Sequence, residues 1–438
     1  MEIASPFIST NGRTRPPMTT PDYELDTQPH GLAGSRGFWR LTGWGPALVS
    51  FLAALTYGLY IALRTYEVDL GVYLRLGGRY VFTSHLYSIG LPNTSLLFTY
   101  PPFAALLFAP WERAFSTVGV VQTVWTMVNL AALLGLLVLS LRLVRPDLSR
   151  RTLWRVALAL SLPAVLLNPV LMTIGFGQVN LVVVLLVMWD LLTERRIGRW
   201  QVPMGVGTGL AAAVKLTPLL FVPFLLLTRR FRAAATCVAT FAACELVTYL
   251  ASPASSTSYW TKALFDPGRA GDLSIVDNQN LSATLDRLNH GIIPDAVLMP
   301  LLLVAAAGGL WLAAVAHRRS SPLLGVLICA ATGLLISPIS WAHHMVWVVP
   351  AILWLALAPD RPRFGRAIAG ATAVLFWCAP IWWVPYRNTT DLHLNPLQLV
   401  AGDSFFFALA VLLAGAAFLV FRRSRGVAPQ ASFASGPR

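Results

Sequence analysis

The chain is poor in charge and lacks the alternation that marks strands. Only 12% of its residues are charged, against 56% hydrophobic, far from the composition of a soluble globular domain. Polar–apolar alternation over strand-length windows is missing, which sets aside soluble sheet folds and membrane β-barrels. No CxxC pair and no cysteine–histidine zinc spacing occurs. The four cysteines, Cys237, Cys244, Cys329 and Cys378, all fall inside apolar runs and read as small buried hydrophobes.

What is abundant is apolar sequence in runs. They recur from residue 42 to residue 421, each near the length that crosses a bilayer or a little short of it. The predicted fold is all-α and polytopic: one helical membrane domain over 41–422, between polar tails at 1–40 and 423–438 that read as disordered. The net charge of +14 would suit nucleic acid, but the arginines sit in short loops between apolar runs, so no nucleic-acid partner is expected.

Those loops set the topology. Basic clusters at 142–155, 194–199, 229–232, 317–319, 361–366 and 422–425, with the arginines of the first 40 residues, belong on the cytoplasmic side by the positive-inside rule. Neighbouring clusters must then be separated by an even number of crossings. Twelve segments, from 42–64 to 400–421, meet this condition and leave both termini cytoplasmic. The pair at 203–215 and 216–228 is short and broken by KLTP, so its helices are stunted or re-entrant. TYPPFAALLFAPW at 99–111 reads as re-entrant or interfacial. The outer face receives 65–99, 169–178, the KLTP break, 252–293, 337–343 and 385–399, and with them nearly every unusual polar motif.

Several residues on that face need a reason. Asp69 in YEVDLGVY follows the first apolar run, where a carboxylate near hydrocarbon is costly. It either serves a site or pairs with Arg64, Arg75 or Arg79. Glu67, two residues away, would fall on a different helix face. Lys215 interrupts GLAAAVKLTPLLFVP; it either meets an anion or snorkels to an interface. His343 and His344 follow SPISWA, and on a regular helix adjacent side chains diverge by about 100°. Gln178 and Asn180, beside Gly175 and Gly177, offer amides to sugar hydroxyls or serve as turn and cap residues. Asp277, Asn278, Gln279 and Asn280 lie in 252–293, a loop long enough to be a lid. Asn280 also opens a glycosylation sequon, a pattern common by chance. Asp190 and Glu245 read as helix–helix polar contacts.

In order along residues 66–347, the stretches VDLGVYLRLGG with HLYS, FTYPPFAALLFAPW, IGFGQVNLVVVLLV, GLAAAVKLTPLLFVPFLL, DNQNLSATLDRL and SPISWAHHMVW resemble glycosyltransferase family 87. This is the group of actinobacterial polyprenyl-phosphate-mannose-dependent α-(1→2)-mannosyltransferases of the GT-C class. The resemblance implies a GT-C fold of about twelve transmembrane helices whose outer loops form the active site, with the catalytic acid just after the first helix. Asp69 matches that position. It implies a polyprenyl-phosphate mannose donor presented from the membrane, and a phosphatidylinositol mannoside or lipomannan acceptor. Transfer would invert the anomeric configuration.

One carboxylate suffices for such a transfer, as general base, and a lipid phosphate leaves without a second acid. Lys215, His343, His344 and, less directly, Arg75 are the candidates to meet the phosphate. Asn278, Gln279, Gln178 and Asn180 are the candidates for sugar hydroxyls, and Tyr100 shapes donor entry. No DxD motif for a nucleotide sugar stands out, and neither metal nor cofactor is expected. Two other classes stay open. An arabinosyl- or glucosyltransferase could use the same scaffold, and a lipid or sugar transporter would suit broken helices with buried ionisable groups. Against the transporter, the polar residues gather at one face and no inverted repeat is visible.

Overall fold

The computed structural model describes residues 43–65, 68–92, 94, 96–114, 117–359, 361–385 and 392–426. The expected tail at 1–40, the last twelve residues and Glu67 lie outside them.

The described residues are mostly helical. Among the described residues the one β-ladder is a two-residue hairpin in the basic loop ERRIGRWQ, pairing Arg196 with Gln201 and Ile197 with Trp200. By length and composition, six helices among the described residues can cross a membrane: Trp44–Arg64, Gly119–Val144, Phe231–Ala251, Asp295–Arg319, Gly365–Trp382 and Ser404–Arg422. A seventh is possible if the bent pair Asn168–Phe176 and Asn180–Leu192 counts as one span. Shorter apolar helices at Thr217–Leu227, Pro322–Ile336 and Ala342–Leu357 fill the interior. The segments expected at 153–168 and 203–215 are helical but broken, into Arg150–Ala159 with Ser161–Val165 and into the nine-residue Val206–Val214.

The outermost helices show why sequence periodicity is faint here. Trp44–Arg64 exposes Leu48, Val49, Leu52 and Leu63 and buries Ala47, Ala54, Gly58 and Ala62. In lipid the large residues face the tails, and the small stripe lets helices approach closely. A methyl at Gly58 would stand 3.3 Å from Leu130 of the half-buried Val118–Val144 helix. Cys237 and Cys329 are buried as expected, whereas Cys378 is exposed, on a face that a bilayer would cover.

Polar ties gather the loops expected on the outer face. Thr65 Oγ1, at the end of the first helix, donates to the Gly175 carbonyl at 2.9 Å. Ser255 Oγ, opening the long 252–293 loop, bonds the carbonyls of Val81 and Thr83 at 2.8 and 2.6 Å. At the other end of that loop Arg287 and Asp403 form a fully buried ion pair. Arg287 Nε donates to Asp403 Oδ1 at 3.1 Å, and Nη1 satisfies the Ser274 and Ile275 carbonyls at 2.8 Å. A buried pair survives only with its remaining donors satisfied, and these bonds supply that. The long loop is therefore anchored at both ends. Asp190 joins helices, as expected. It accepts from the Gly205 and Thr208 amides and from Thr208 Oγ1 at 2.6 Å, holding the start of Val206–Val214.

Candidate active site

Asp69 lies in a short helical turn, Val68–Gly71, that runs directly into a π-helical segment, Val72–Gly78. Such segments are rare and cluster at functional sites. The LGG sequence explains how this one is seated. A side chain on Gly77 would meet the Phe98 ring at 2.8 Å, and one on Gly78 would meet the Phe108 carbonyl at 2.9 Å. The two glycines let the segment lie against the Pro102–Ala114 helix. Asp69 and Tyr73, one turn apart, share a face, and both reach Gln178. Tyr73 Oη donates to Gln178 Oε1 at 3.0 Å, Gln178 Nε2 donates to Tyr100 Oη at 2.9 Å, and the Gln178 amide favours the charged form of the neighbouring Asp69 carboxyl. Part of the Asp69 surface stays accessible, yet protein surrounds it. Burial pushes its carboxyl up to about 6, opposed by the Gln178 amide and the positive charge of Lys215. Arg75 is exposed and is not among the groups that act on the Asp69 carboxyl.

Gln178 and Asn180 are placed by a corner. Helix Asn168–Phe176 ends at Gly177 in the left-handed conformation, φ 68°. The Gln178 amide returns to Thr173 O at 2.9 Å and that of Gly177 to Ile174 O at 3.1 Å, a glycine stop that satisfies the last carbonyls. The chain turns by 116° into Asn180–Leu192, leaving both amides at the apex. Asn180 Nδ2 donates to the His343 carbonyl at 2.9 Å, and its Oδ1 accepts from Lys215 Nζ at 2.7 Å. Lys215 occupies the end of Val206–Val214 in an extended conformation. Pro218 then starts the following 3-10 turn, Thr217–Leu220. The KLTP break thus delivers a buried ammonium held by one neutral amide, 6.0 Å from the centre of the Tyr100 ring.

The two histidines separate. His343 is buried, edge-on to Phe176 and to His344, and neither of its ring nitrogens has a hydrogen-bond partner among the described residues. His344 is half-buried and lines a cavity of about 590 Å³ together with Tyr100 and Lys215. Asp69 does not itself line this cavity; it neighbours Gln178, which bonds Tyr100 of the lining.

The amide-rich loop has a different use. Asn278 Oδ1 accepts from the Ser340 amide at 2.8 Å, and its Nδ2 donates to Leu273 and Pro338 carbonyls. Gln279 spans to the last helix, donating to Gly402 O at 2.6 Å and accepting from Phe406 N at 2.9 Å. Asn280 is fully buried, caps Leu281–Leu288 through Ala283 N at 2.7 Å, and donates to Ser337 and Pro338 carbonyls. Its amide is inaccessible to a glycosylation enzyme, so the sequon is a chance match. These amides lock 277–280 against 337–342.

Asp277, given no role by the sequence, is placed by that lock. Its Oδ1 accepts from the Ala342 amide at 3.0 Å. Burial pushes it up to about 7, against the Ala342 bond, and the Asp69 charge adds to the rise. Two carboxyls therefore sense each other. Tyr73 was also missed, although its spacing of four from Asp69 is the one signal that could have found it. Among the described residues no three His, Cys, Asp or Glu side chains converge on a common metal position.

A carboxyl ionising near neutrality, an ammonium and an imidazole beside a cavity can take a proton from a hydroxyl and stabilise a departing anion. The sequence profile of glycosyltransferase family 87 matches residues 98–338. The chain is 33% identical, over 89% of its length and 93% of the relative's, to a polyprenol-phosphate-mannose-dependent α-(1-2)-phosphatidylinositol mannoside mannosyltransferase of Mycobacterium tuberculosis. It is 34% identical, over 76% of its length and 80% of the relative's, to a polyprenol-phosphate-mannose-dependent α-(1-2)-phosphatidylinositol pentamannoside mannosyltransferase of Mycolicibacterium smegmatis. No solved structure matches with significance. The family match begins downstream of Asp69, so the case for that residue stands on its surroundings.

Proposed function

The chain belongs to glycosyltransferase family 87, and on that premise we propose that it moves mannose from polyprenyl-phosphate mannose to a phosphatidylinositol mannoside or the mannan built on one. The product is an α-1,2 linkage formed with inversion. The observation that carries the mechanism is the placement of Asp69 beside Gln178, within the electrostatic reach of Lys215. The acceptor hydroxyl attacks the anomeric carbon as the bond from that carbon to the phosphate oxygen breaks, and its proton passes to the Asp69 carboxylate. The electron pair stays with the prenyl phosphate, which gains a second negative charge. Lys215 and His344 meet that charge at the cavity, and His343 backs His344 from the protein side. Asn180 keeps the ammonium aimed while the donor is absent.

Gln178, Tyr73 and Tyr100 hold the base, and Tyr100 also borders donor entry. Asn278 and Gln279 act indirectly, by fixing the loop that carries Asp277 beside the site. Arg75 is left out because it is exposed away from this cluster. The arginine loops face the cytoplasm, with both termini, and the site opens to the outer side of the cell membrane. Counting every short apolar piece between basic loops as a crossing gives the twelve-helix arrangement.

Purified chain in lipid nanodiscs, given radiolabelled polyprenyl-phosphate mannose and phosphatidylinositol mannosides, is expected to yield a glycolipid bearing 2-linked α-mannose by methylation analysis and NMR. Transfer from nucleotide-linked mannose instead, or a prenyl-linked arabinose or glucose used in preference, would reject the assignment.

A further inference from the structure

The cavity beside Lys215 and His344 has a second cationic group that neither the family motifs nor the base cluster accounts for. Its floor is apolar, with Leu216, Leu219, Leu220 and Ile336, which suits an isoprenoid chain. Its other side is formed by residues 263–270 of the long outer loop, folded as two 3-10 turns, Ala263–Phe265 and Pro267–Ala270. Arg269 comes from the second turn and lines the same cavity as Lys215 and His344. Asp266, the one acid along this lining, is exposed.

The guanidinium of Arg269 is neither free nor fully engaged. Nη2 donates to the Tyr87 carbonyl, and at 3.5 Å to that of Phe98. The group sits 5.9 Å from the centre of the Tyr87 ring. Its Nε is buried with no hydrogen-bond partner among the described residues. A guanidinium has five N–H donors, and these contacts are to neutral groups. No carboxylate forms an ion pair with it among the described residues. Arg269 is half-buried, and a partly desolvated cation without a counter-charge is favoured by a ligand that supplies one.

Phosphate chemistry asks for such a group. The sugar-bearing prenyl phosphate is a diester with one negative charge. Breaking the bond to mannose leaves a monoester that gains a second charge. Lys215 is a single ammonium and already donates one hydrogen to Asn180. Two cations match the developing charge better than one, and a planar fork suits phosphate oxygens. We infer that Arg269 is a phosphate ligand for the prenyl-phosphate leaving group, reaching it from the outer loop while Lys215 reaches it from the helix break. The same residue ties that loop to the first outer loop through Tyr87 and Phe98, so donor binding and loop position are linked.

This rests on the mannosyl-transfer reading, and the test separates the two. Binding of a short polyprenyl monophosphate and of the matching polyprenol, which lacks phosphate, is measured on the full-length chain in detergent for wild type, Arg269→Gln and Arg269→Lys. Each variant is first checked as monodisperse by gel filtration. Arg269→Gln is expected to weaken the phosphate by about 10- to 100-fold, the range of a charge-assisted hydrogen bond, and to leave the alcohol unchanged. Arg269→Lys is expected to recover part of the loss. If phosphate and alcohol weaken together, Arg269 only supports the loop and the inference falls. If Arg269→Gln binds the phosphate like wild type, the inference falls while the donor assignment stands. A wild type that does not prefer the phosphate over the alcohol overturns both.

Discussion

Replacing Gln178 by Met isolates what sets the working pH. Asp69 ionises at about 6 because burial disfavours its carboxylate, while the Gln178 amide and Lys215 favour it. A general base works only when ionised, so kcat/KM should fall with unit slope as pH drops through about 6. The substitution removes the amide that favours the Asp69 carboxylate; a hydrogen bond to a charged acceptor is worth about 1.5–3 kcal/mol, and one pKa unit is about 1.4 kcal/mol. Asp69 keeps partial solvent access, so screening favours the lower end and the carboxyl should rise by about one unit. At pH 6 the ionised fraction would then fall from about one half to about one tenth, a loss of about fivefold. At pH 8 it would stay above about nine tenths, and the rate would barely change. The assay is the pH profile of kcat/KM with labelled donor at saturating acceptor. An acid limb moved about one unit alkaline, with its plateau preserved to about twofold, is the expected result. An unmoved limb, or an equal loss at every pH, would refute the reasoning, because then Gln178 does not tune the base.

Three further outcomes follow from the same contacts. Lys215→Met should lower kcat/KM by about 100-fold or more, since it removes a cation aimed at the leaving phosphate; steady-state kinetics with varied donor reads this. Arg287→Met or Asp403→Leu alone should cost about 3–5 kcal/mol by stranding a buried charge, whereas the double change should cost less than the two single changes summed, keeping only the loss of the Arg287 bonds to the Ser274, Ile275 and Asn278 carbonyls; thermal unfolding of the four proteins closes the cycle. Asp69→Asn should raise the melting temperature at pH 8. The folded carboxyl ionises at about 6, above its ordinary 3.8, so the ionised form opposes folding above that range. The gain should shrink as pH falls through 6 and vanish below 3.8.

The parts of this molecule legible in sequence are those whose physics is local. Asp69 stands out because a carboxylate just after an apolar run is expensive wherever the chain goes next, and the family resemblance is what separates it from Glu67. Lys215 was found because KLTP breaks a helix by itself, and the structure shows that break as an extended residue followed by a 3-10 turn. The fate of the DNQN amides was not legible. Their partners are the carbonyls and amides of residues 337–340, 402 and 406, and a short polar motif reads the same whether it faces a sugar or a distant backbone. Arg269 looked like any loop arginine until the fold set it beside the cavity. The span count was blurred by Gly177, whose left-handed turn bends two apolar runs through 116°. Hydropathy carries no angle, so a corner and two crossings give the same profile. His343 and His344 differ by one position, and only packing against Phe176 decided which is sealed in.

The central claim is that Asp69 takes the acceptor proton. It is tested most directly by single-turnover mannose transfer from polyprenyl-phosphate mannose by Asp69→Asn, with the variant first shown to bind polyprenyl phosphate like wild type. The account predicts a fall of about 10²- to 10⁴-fold in the transfer rate. Transfer at the wild-type rate by a variant that binds the prenyl phosphate normally would contradict it.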